Sequence, residues 1–245
     1  MASPSISVVL PAYQLGPAIA ANIERVSAAL SSLAGVEIVV VDDGSTDRTL
    51  EEARRAAAGI TNVSVIGHPN NRGKGQALFT GARAAQGDLI VFLDADLDLP
   101  PDQVPRLIAR MGSADVLVGA KRDSMAAGHY PLLRRVLSRA FSLATVGLFG
   151  LPVSETQTGL KIFRRQVLEE VIPQMRIEGY AYDLELLVRA YRAGFKLTEA
   201  PVDLGPGATG ASLKAGMLWQ MARDTIRLQW WAATGRIPKK QQIPT

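Results

Sequence analysis

Residues 89–101 read LIVFLDADLDLPP: five apolar residues, then Asp94, Asp96 and Asp98 at alternate positions, then two prolines. A short continuous apolar run of this kind is the look of a strand buried on both faces, as in a parallel sheet covered by helices on either side. Ligands of such sheets bind beyond the carboxyl ends of the strands. The three acids therefore stand at the expected ligand rim. Carboxylates this close repel one another unless a cation neutralises them, and hard oxygen ligands favour Mg2+ or Mn2+, which also hold phosphate oxygens. The competing reading is a solvated acidic turn before a helix begun by Pro101 and Asp102. The buried strand and the two-proline exit favour the metal.

Working outward, the pattern repeats. Apolar, β-branched runs at 6–10, 37–41, 63–66, 89–93 and 116–118 alternate with helical stretches at 17–33, 46–58, 74–86 and 102–111. This alternation predicts an α/β fold, a mostly parallel, Rossmann-like sheet flanked by helices. After residue 120 the rhythm changes. The expectations there are a long helix over 132–149, a strand over 160–164, a helix over 183–193, a strand over 196–201 and a last helix over 212–234. One domain over 1–235 is expected, with a 5–120 half and a 121–235 half, followed by a frayed tail at 236–245.

Chemistry is sought directly after each strand. The first strand ends in PAYQ, with Pro11 and Tyr13; the second ends in VVVDDGSTDRT, where Asp42 and Asp43 lead into a Gly-Ser turn. The plain reading of the latter is strand, turn and helix N-cap by Ser45 or Asp47. A carboxylate in this position also suits a base N–H or a ribose hydroxyl. The third loop, HPNNRGKGQAL over 68–78, frees its backbone at Gly73 and Gly75 and carries Arg72 and Lys74 where a helix begins, a reasonable anion cradle. Its spacing fits neither the dinucleotide fingerprint nor the P-loop. His68 is expected to be structural.

Composition narrows the classes. The 245 residues contain no cysteine and two histidines, which excludes disulfides, thiolate metal sites and a multi-histidine zinc site. The net charge of +4 hides an asymmetry: residues 1–120 carry 9 basic and 13 acidic side chains, residues 121–245 carry 18 and 10. An acidic half suits a cation, and a basic half suits anions such as a lipid phosphate or a bilayer surface. Nucleic-acid binding is disfavoured, because the basic half lacks interleaved exposed aromatics. The uncharged opening of 23 residues is interrupted by Pro4, Pro11 and Pro17, and no later uncharged run, 140–154 included, reaches the roughly 20 residues of a spanning helix.

Taken together, VVLPAYQ, VVVDDGSTDRT, NRGKGQAL and FLDADLDLPP resemble glycosyltransferase family 2 with its GT-A fold, over about residues 5–105. The resemblance implies that Asp42 or Asp43 binds the nucleobase, and that Asp94-Ala95-Asp96 holds the ribose and a divalent metal on the donor diphosphate. GAKRDS, the stretch from Arg134 to Arg165, AYDLELLVRAYRAGF and GASLKAGMLWQ look like the polyprenyl-phosphate branch, the dolichyl-phosphate glucosyl- and mannosyltransferases. In this chain Leu213 separates Ser212 from Lys214, where those relatives have Ser-Lys. Asp98 stands where metal-bound mannosyl relatives carry Gln, so it either strengthens the metal site or is idle. Thr156-Gln157-Thr158-Gly159-Leu160 leans towards the glucosyl relatives.

These implications combine into expectations. The donor site comprises Pro11, Tyr13, Asp42, Asp43, Arg72, Lys74, Asp94, Ala95 and Asp96, and Mg2+ or Mn2+ sits on Asp94, Asp96 and Asp98. Arg122, Arg135 and Lys214 grip the acceptor phosphate, since cations and guanidinium forks suit phosphate oxygens. Asp96 acts through the metal, Asp183 is a sugar contact or base, and Glu185 is read as a helix-surface carboxylate. The expected reaction is inverting transfer of a hexose from a nucleotide sugar of the UDP-glucose or GDP-mannose type to polyprenyl phosphate, peripherally at the inner, cytoplasmic face of the membrane. The rivals are a soluble enzyme acting on a hydroxyl acceptor and a non-catalytic nucleotide-sugar-binding module. The helices over 132–150 and 212–234 are amphipathic. On the second, Gln220, Arg223, Asp224 and Arg227 share one sector, and Met217, Leu218, Trp219, Met221, Ile226, Leu228 and Trp230 lie outside it. Core packing and an interfacial helix both fit that wheel.

Overall fold

The structure, a computed structural model, describes residues 4–121, 145–205 and 215–237. Seven strands form one sheet: β1 (Ile6–Ala12), β2 (Val36–Asp42), β3 (Val63–Gly67), β4 (Leu89–Leu93), β5 (Val116–Ala120), β6 (Leu160–Arg164) and β7 (Leu197–Pro201). Their order is β3-β2-β1-β4-β6-β5-β7, so both halves of the chain contribute to one sheet. All neighbours are parallel except β6, which runs antiparallel to β4 and β5. The helices are α1 (Ile19–Leu30), α2 (Thr49–Ala57), α3 (Lys74–Ala84), α4 (Val104–Met111), α5 (Arg165–Val171), α6 (Tyr182–Arg192) and α7 (Ala215–Ala233). Short 3-10 turns precede α4 and follow α5.

Period-two alternation divides the apolar strand residues between two cores. Val9, Ile90, Phe92, Val116, Val118 and Phe163 face the layer of α3, α5, α6 and α7. Val8, Leu10, Val91, Leu93, Leu117 and Ile162 face α1 and α4. Helix α1 meets the second core with Ile19, Ile23, Val26 and Leu30, one helical stripe. The predicted strands and helices among the described residues are present, with ends shifted by three residues or fewer. Helix α5 was not anticipated. The expected helix over 132–149 lies mostly outside the described residues.

The register opens the rim. Strand β1 pairs with β2 from Ile6↔Val36 through Ala12↔Asp42, but with β4 only through Val9↔Phe92. Pro11, which has no N–H, sits beyond the β4 ladder and so removes no bond from that side. The strands part here, at the point where the order reverses. That is where an open α/β sheet binds its ligand.

Candidate active site

Asp42 and Asp43 end β2, and both are buried. Their surroundings differ. Asp43 accepts the backbone N–H groups of Arg72 (3.0 Å) and Gly73 (2.8 Å), and its Oδ1 lies 2.8 Å from Nδ1 of His68. His68 is held in turn by Thr80 at 2.9 Å, which is the structural role expected of it. Asp42 accepts only the amide of Ser45 (3.2 Å), on Oδ2, and its buried Oδ1 has no partner. A buried acceptor without a donor is costly and marks a place where a ligand donor fits. Of the two candidates for a nucleobase contact, the geometry leaves Asp42 available and commits Asp43 to the loop. The anion cradle expected at 68–78 is corrected accordingly: two of its amides already hold an internal anion, Asp43.

The loops after β1, β2 and β3 are stitched together. Gln14, at φ +55°, donates its amide to Ser45 and its side chain to Thr46. Asp47 accepts from Gly16 and from Thr49, the first residue of α2, which holds its carboxyl below the ordinary range. Gly44, at φ +68°, lies so close to Asn70 that an added Cβ would sit 2.3 Å from its carbonyl carbon. Tyr13 stands 47% exposed above this platform, and Arg72 is exposed beside it. A cleft of about 470 Å³ lies alongside, lined by Asn71, Arg72, Gly73, Gln76 and Glu178.

At the end of β4 the chain turns at once. The amide of Leu97 bonds the carbonyl of Asp94 (3.1 Å), and Leu97 is held at φ +55°. Leu97 and Gln14 are the non-glycine residues with positive φ among those described, and both lie at the rim, where strained backbone tends to collect. The turn takes Asp96 and Asp98 out of the line of the strand. Alternate residues share a side only while the chain remains a strand, and the strand stops at Leu93. Among the described residues no three His, Asp or Glu side chains converge as a metal cage. Asp96 is exposed and receives the amide of Asp98 at 3.2 Å. Although its surface is open, the surrounding chain withdraws water from around it, and this, then the neighbouring Asp94, pushes its carboxyl up. Ala95 is buried, its carbonyl accepting from Asn22 at 2.9 Å.

Asp94 is occupied on both sides. Lys74, the first residue of α3, places Nζ 2.5 Å from Oδ1. Gly159 lies against Oδ2 so closely that a Cβ there would be 2.2 Å away. Burial alone would push the Lys74 ammonium down, but Asp94, Asp183 and Asp96 outweigh it and hold it above its ordinary value. The donor set suits a cation held by one or two carboxylates and completed by phosphate and water oxygens, as Mg2+ prefers, rather than a closed protein cage.

Opposite stands α6. Asp183, 7% exposed, accepts from Nζ of Lys161 (2.6 Å), and the same ammonium donates to the carbonyl of Thr158 (2.7 Å). Tyr182 packs edge-on to Phe79 and against Gly75 of α3. Burial, then Asp183 and Asp94, hold its hydroxyl well above the ordinary value. Glu185 corrects the surface reading: it is fully buried, accepting the amides of Arg176 and Ile177 and the guanidinium of Arg189 at 2.7 Å. It fixes the loop that precedes Asp183.

Lys161 and Tyr182 are not among the expected site residues, and Gly159 figures there only within the 156–160 stretch. Lys161 carried a usable signal, a charge in the middle of the apolar strand Leu160–Arg164. Arg122, Arg135 and Lys214, with the 206–214 entry to the last helix, lie outside the described residues.

Helix α7 packs Met221, Leu228, Trp231 and Ala232 inward together with Asp224. It presents Trp219 (70% exposed), Ile226 (70%) and Trp230 (50%) outward. The polar sector straddles the boundary, with Arg223 and Arg227 exposed and Asp224 buried. Asp224 is buried beside Arg223 (3.2 Å) and Arg227 (3.8 Å), and Arg236 stacks 4.2 Å from the Trp230 ring centroid. No helix of the described residues is long and apolar enough to cross a membrane.

Comparison with known proteins accords with this geometry. The signature of "Glycosyl transferase family 2" matches residues 7–172. Glycosyltransferase AglD of Haloferax volcanii is 32% identical over 94% of this chain and 38% of its own length. A dolichol-phosphate mannosyltransferase of Pyrococcus furiosus is 30% identical over 92% of this chain and 64% of its own. The chain therefore spans about two-fifths to two-thirds of these relatives. Among solved structures, a mannosyltransferase from Pyrobaculum calidifontis in complex with GDP-Man and Mn2+ has a TM-score of 0.66 at 22% identity, covering 98% of this chain and 66% of that one. Glucosyl-3-phosphoglycerate synthase from Mycobacterium tuberculosis, with Mn2+, UDP and phosphoglyceric acid, has a TM-score of 0.68 at 23% identity, covering 97% and 80%. These two show the fold alone, the Rossmann-like GT-A arrangement. The chain is a member of glycosyl transferase family 2.

Proposed function

We propose that the chain transfers a hexose, with inversion, from a nucleotide sugar of the UDP-glucose or GDP-mannose type to polyprenyl phosphate. The observation that carries this reading is that the unpartnered Oδ1 of Asp42, the exposed Asp96 and the Lys74–Asp94 pair follow β2 and β4, the strands on either side of β1, at the same end of the sheet. Asp42 receives the nucleobase N–H. Asp96, with Asp94 and Asp98 as nearer or more distant partners, would hold Mg2+ or Mn2+ at the diphosphate. Such an ion stabilises the charge of a departing diphosphate. The relatives' names support the acceptor class, as they include dolichyl- and undecaprenyl-phosphate sugar transferases.

An acceptor phosphate oxygen forms the new bond to the anomeric carbon as the bond to the nucleoside diphosphate breaks. A phosphate monoester has a second pKa near 6 and is largely ionised at pH 7, so the site must position and neutralise it more than deprotonate it. Arg122, Arg135 and Lys214 are assigned that grip. Asp183, kept in place by Lys161, faces the sugar or serves as a base for a hydroxyl acceptor. The 5–120 half serves the donor and the 121–235 half the acceptor. The outward stripe of Trp219, Ile226 and Trp230, flanked by Arg223, Arg227 and Arg236, supports a peripheral position on the anionic inner face of the membrane.

The test is an assay with radiolabelled UDP-glucose and GDP-mannose, offering polyprenyl phosphate or water-soluble hydroxyl acceptors. Label entering the lipid fraction with one donor supports the proposal. Label entering only soluble product favours the hydroxyl-acceptor enzyme. Donor binding without transfer to either favours the non-catalytic module.

A further inference from the structure

Asp94 and Asp96 are separated by one residue and hold opposite positions in the network. Both oxygens of Asp94 are confined, Oδ1 by the Lys74 ammonium at 2.5 Å and Oδ2 by the backbone at Gly159. Asp96 is exposed, with no cationic side chain within 4.0 Å among the described residues. Lys74 is itself well placed to let go. It begins α3 directly after Gly73, which holds φ +89°, and its side chain is 42% exposed, against 27% for Asp94. The neighbouring pair behaves differently. Lys161 is 2% exposed on its side chain and is tied to both Asp183 and the Thr158 carbonyl, so it has no freedom to exchange partners.

From this contrast we infer that Lys74 is the resident counter-ion of Asp94 in the donor-free protein and competes there with the divalent cation, so that metal and nucleoside diphosphate enter together. A dication approaching Asp94 meets a positive charge already in place. Lys74 leaves readily only when another anion receives it, and the donor diphosphate is that anion. Without nucleotide the dication has Asp96 and water, a weak site. With nucleotide, Lys74 moves to phosphate oxygens, Asp94 is released, and the diphosphate adds its own oxygens to the ion. The linkage is reciprocal: whatever factor the nucleotide contributes to metal affinity, the metal returns to nucleotide affinity. The inference rests on the metal reading above, but concerns the order and coupling of binding rather than the reaction.

The experiment titrates Mn2+ into the full chain, following the free-ion signal by electron paramagnetic resonance, with no nucleotide, with UDP and with GDP. Wild type should bind Mn2+ weakly alone and at least tenfold more tightly with one of the diphosphates. Lys74→Met should bind Mn2+ at least tenfold more tightly than wild type in the absence of nucleotide, with a smaller gain on adding it. Lys74→Arg, which keeps the charge, should retain the wild-type pattern. Lys74→Gln replaces the methionine variant should that one melt early. Equal nucleotide-free Mn2+ affinity in wild type and the neutral variants overturns the inference while leaving the metal reading intact. Absence of Mn2+ binding in every form, with or without diphosphate, removes the metal reading and this inference with it.

Discussion

The floor and the rim of the cleft are both built on carboxylates, and the two regions treat them oppositely. On the floor, Asp43 and Glu185 are saturated: each takes two backbone amides and a side-chain partner, His68 in one case and Arg189 in the other. At the rim, Asp42 keeps a buried oxygen without a donor, and Asp96 is exposed with no basic partner among the described residues. The saturated acids belong to stability, because they fold the 68–73 and 175–182 loops into place. The unsaturated ones are the proposed ligand contacts, because their bonding capacity is left open. Asp42 and Asp43 are adjacent in sequence, so residue type and position along a strand do not distinguish the two roles. Partner count does.

The contrast can be broken by changing one acid at a time and reading stability and activity separately. The largest effect is expected at the floor. Glu185→Gln leaves the buried Arg189 uncompensated and should lower unfolding stability by about 3–5 kcal/mol, read by denaturant titration. Donor affinity of the protein that remains folded should be little changed. Asp96→Asn should do the reverse, lowering transfer by about 10²–10³-fold, as loss of a transition-state electrostatic contact does, with an unchanged melting temperature. Should it melt early with normal turnover, the division between floor and rim fails. Asp43→Ala strands two loop amides and should cost about 1–3 kcal/mol of stability. The smallest effect is at Asp42→Asn. It should raise the donor KM by roughly tenfold, the value of one hydrogen bond of about 1.4 kcal/mol, and leave stability unchanged or slightly improved.

A second contrast concerns the two faces of α7. Its inner face is closed by Leu228 and Trp231, while Trp219 and Ile226 each leave 70% of their surface in water. Replacing Trp219, Ile226 and Trp230 together by serine should abolish co-sedimentation with vesicles containing anionic lipid and leave the melting temperature within a few degrees. Loss of folding would show instead that the stripe is core.

Much of the sheet was legible because each strand advertises itself. Runs such as EIVVV and LIVFL require burial on both faces, and alternation with helices makes a mostly parallel sheet the economical solution. The position of the site was legible for the same reason, since the acids follow the strands. What remained hidden depends on distant chain. Asp43 is saturated by amides some thirty residues further on, and Glu185 is buried by the turn before its own helix. No local pattern reports either. Lys161 breaks an apolar run, and only the fold shows that the break answers Asp183 across 22 residues. The α7 wheel separated polar from apolar residues and left inside and outside open, since the inward contact of Gln220 and Asp224 is with Gly179, some forty residues away in sequence.

The reversed strand β6 has an effect on what such a protein can become. Because β6 runs against β4 and β5, the chain leaves the sheet after Ala120 and rejoins it at Leu160 on one and the same edge. The returning end is anchored beside Asp94, whose amide donates to the carbonyl of Gly159 at 3.2 Å. The 39 intervening residues are not a free insert: they send Phe149, Leu151 and Val153 into the core and bring Gly159 against Asp94, so exchanging the stretch from 145 onward would disturb the core and the candidate site together.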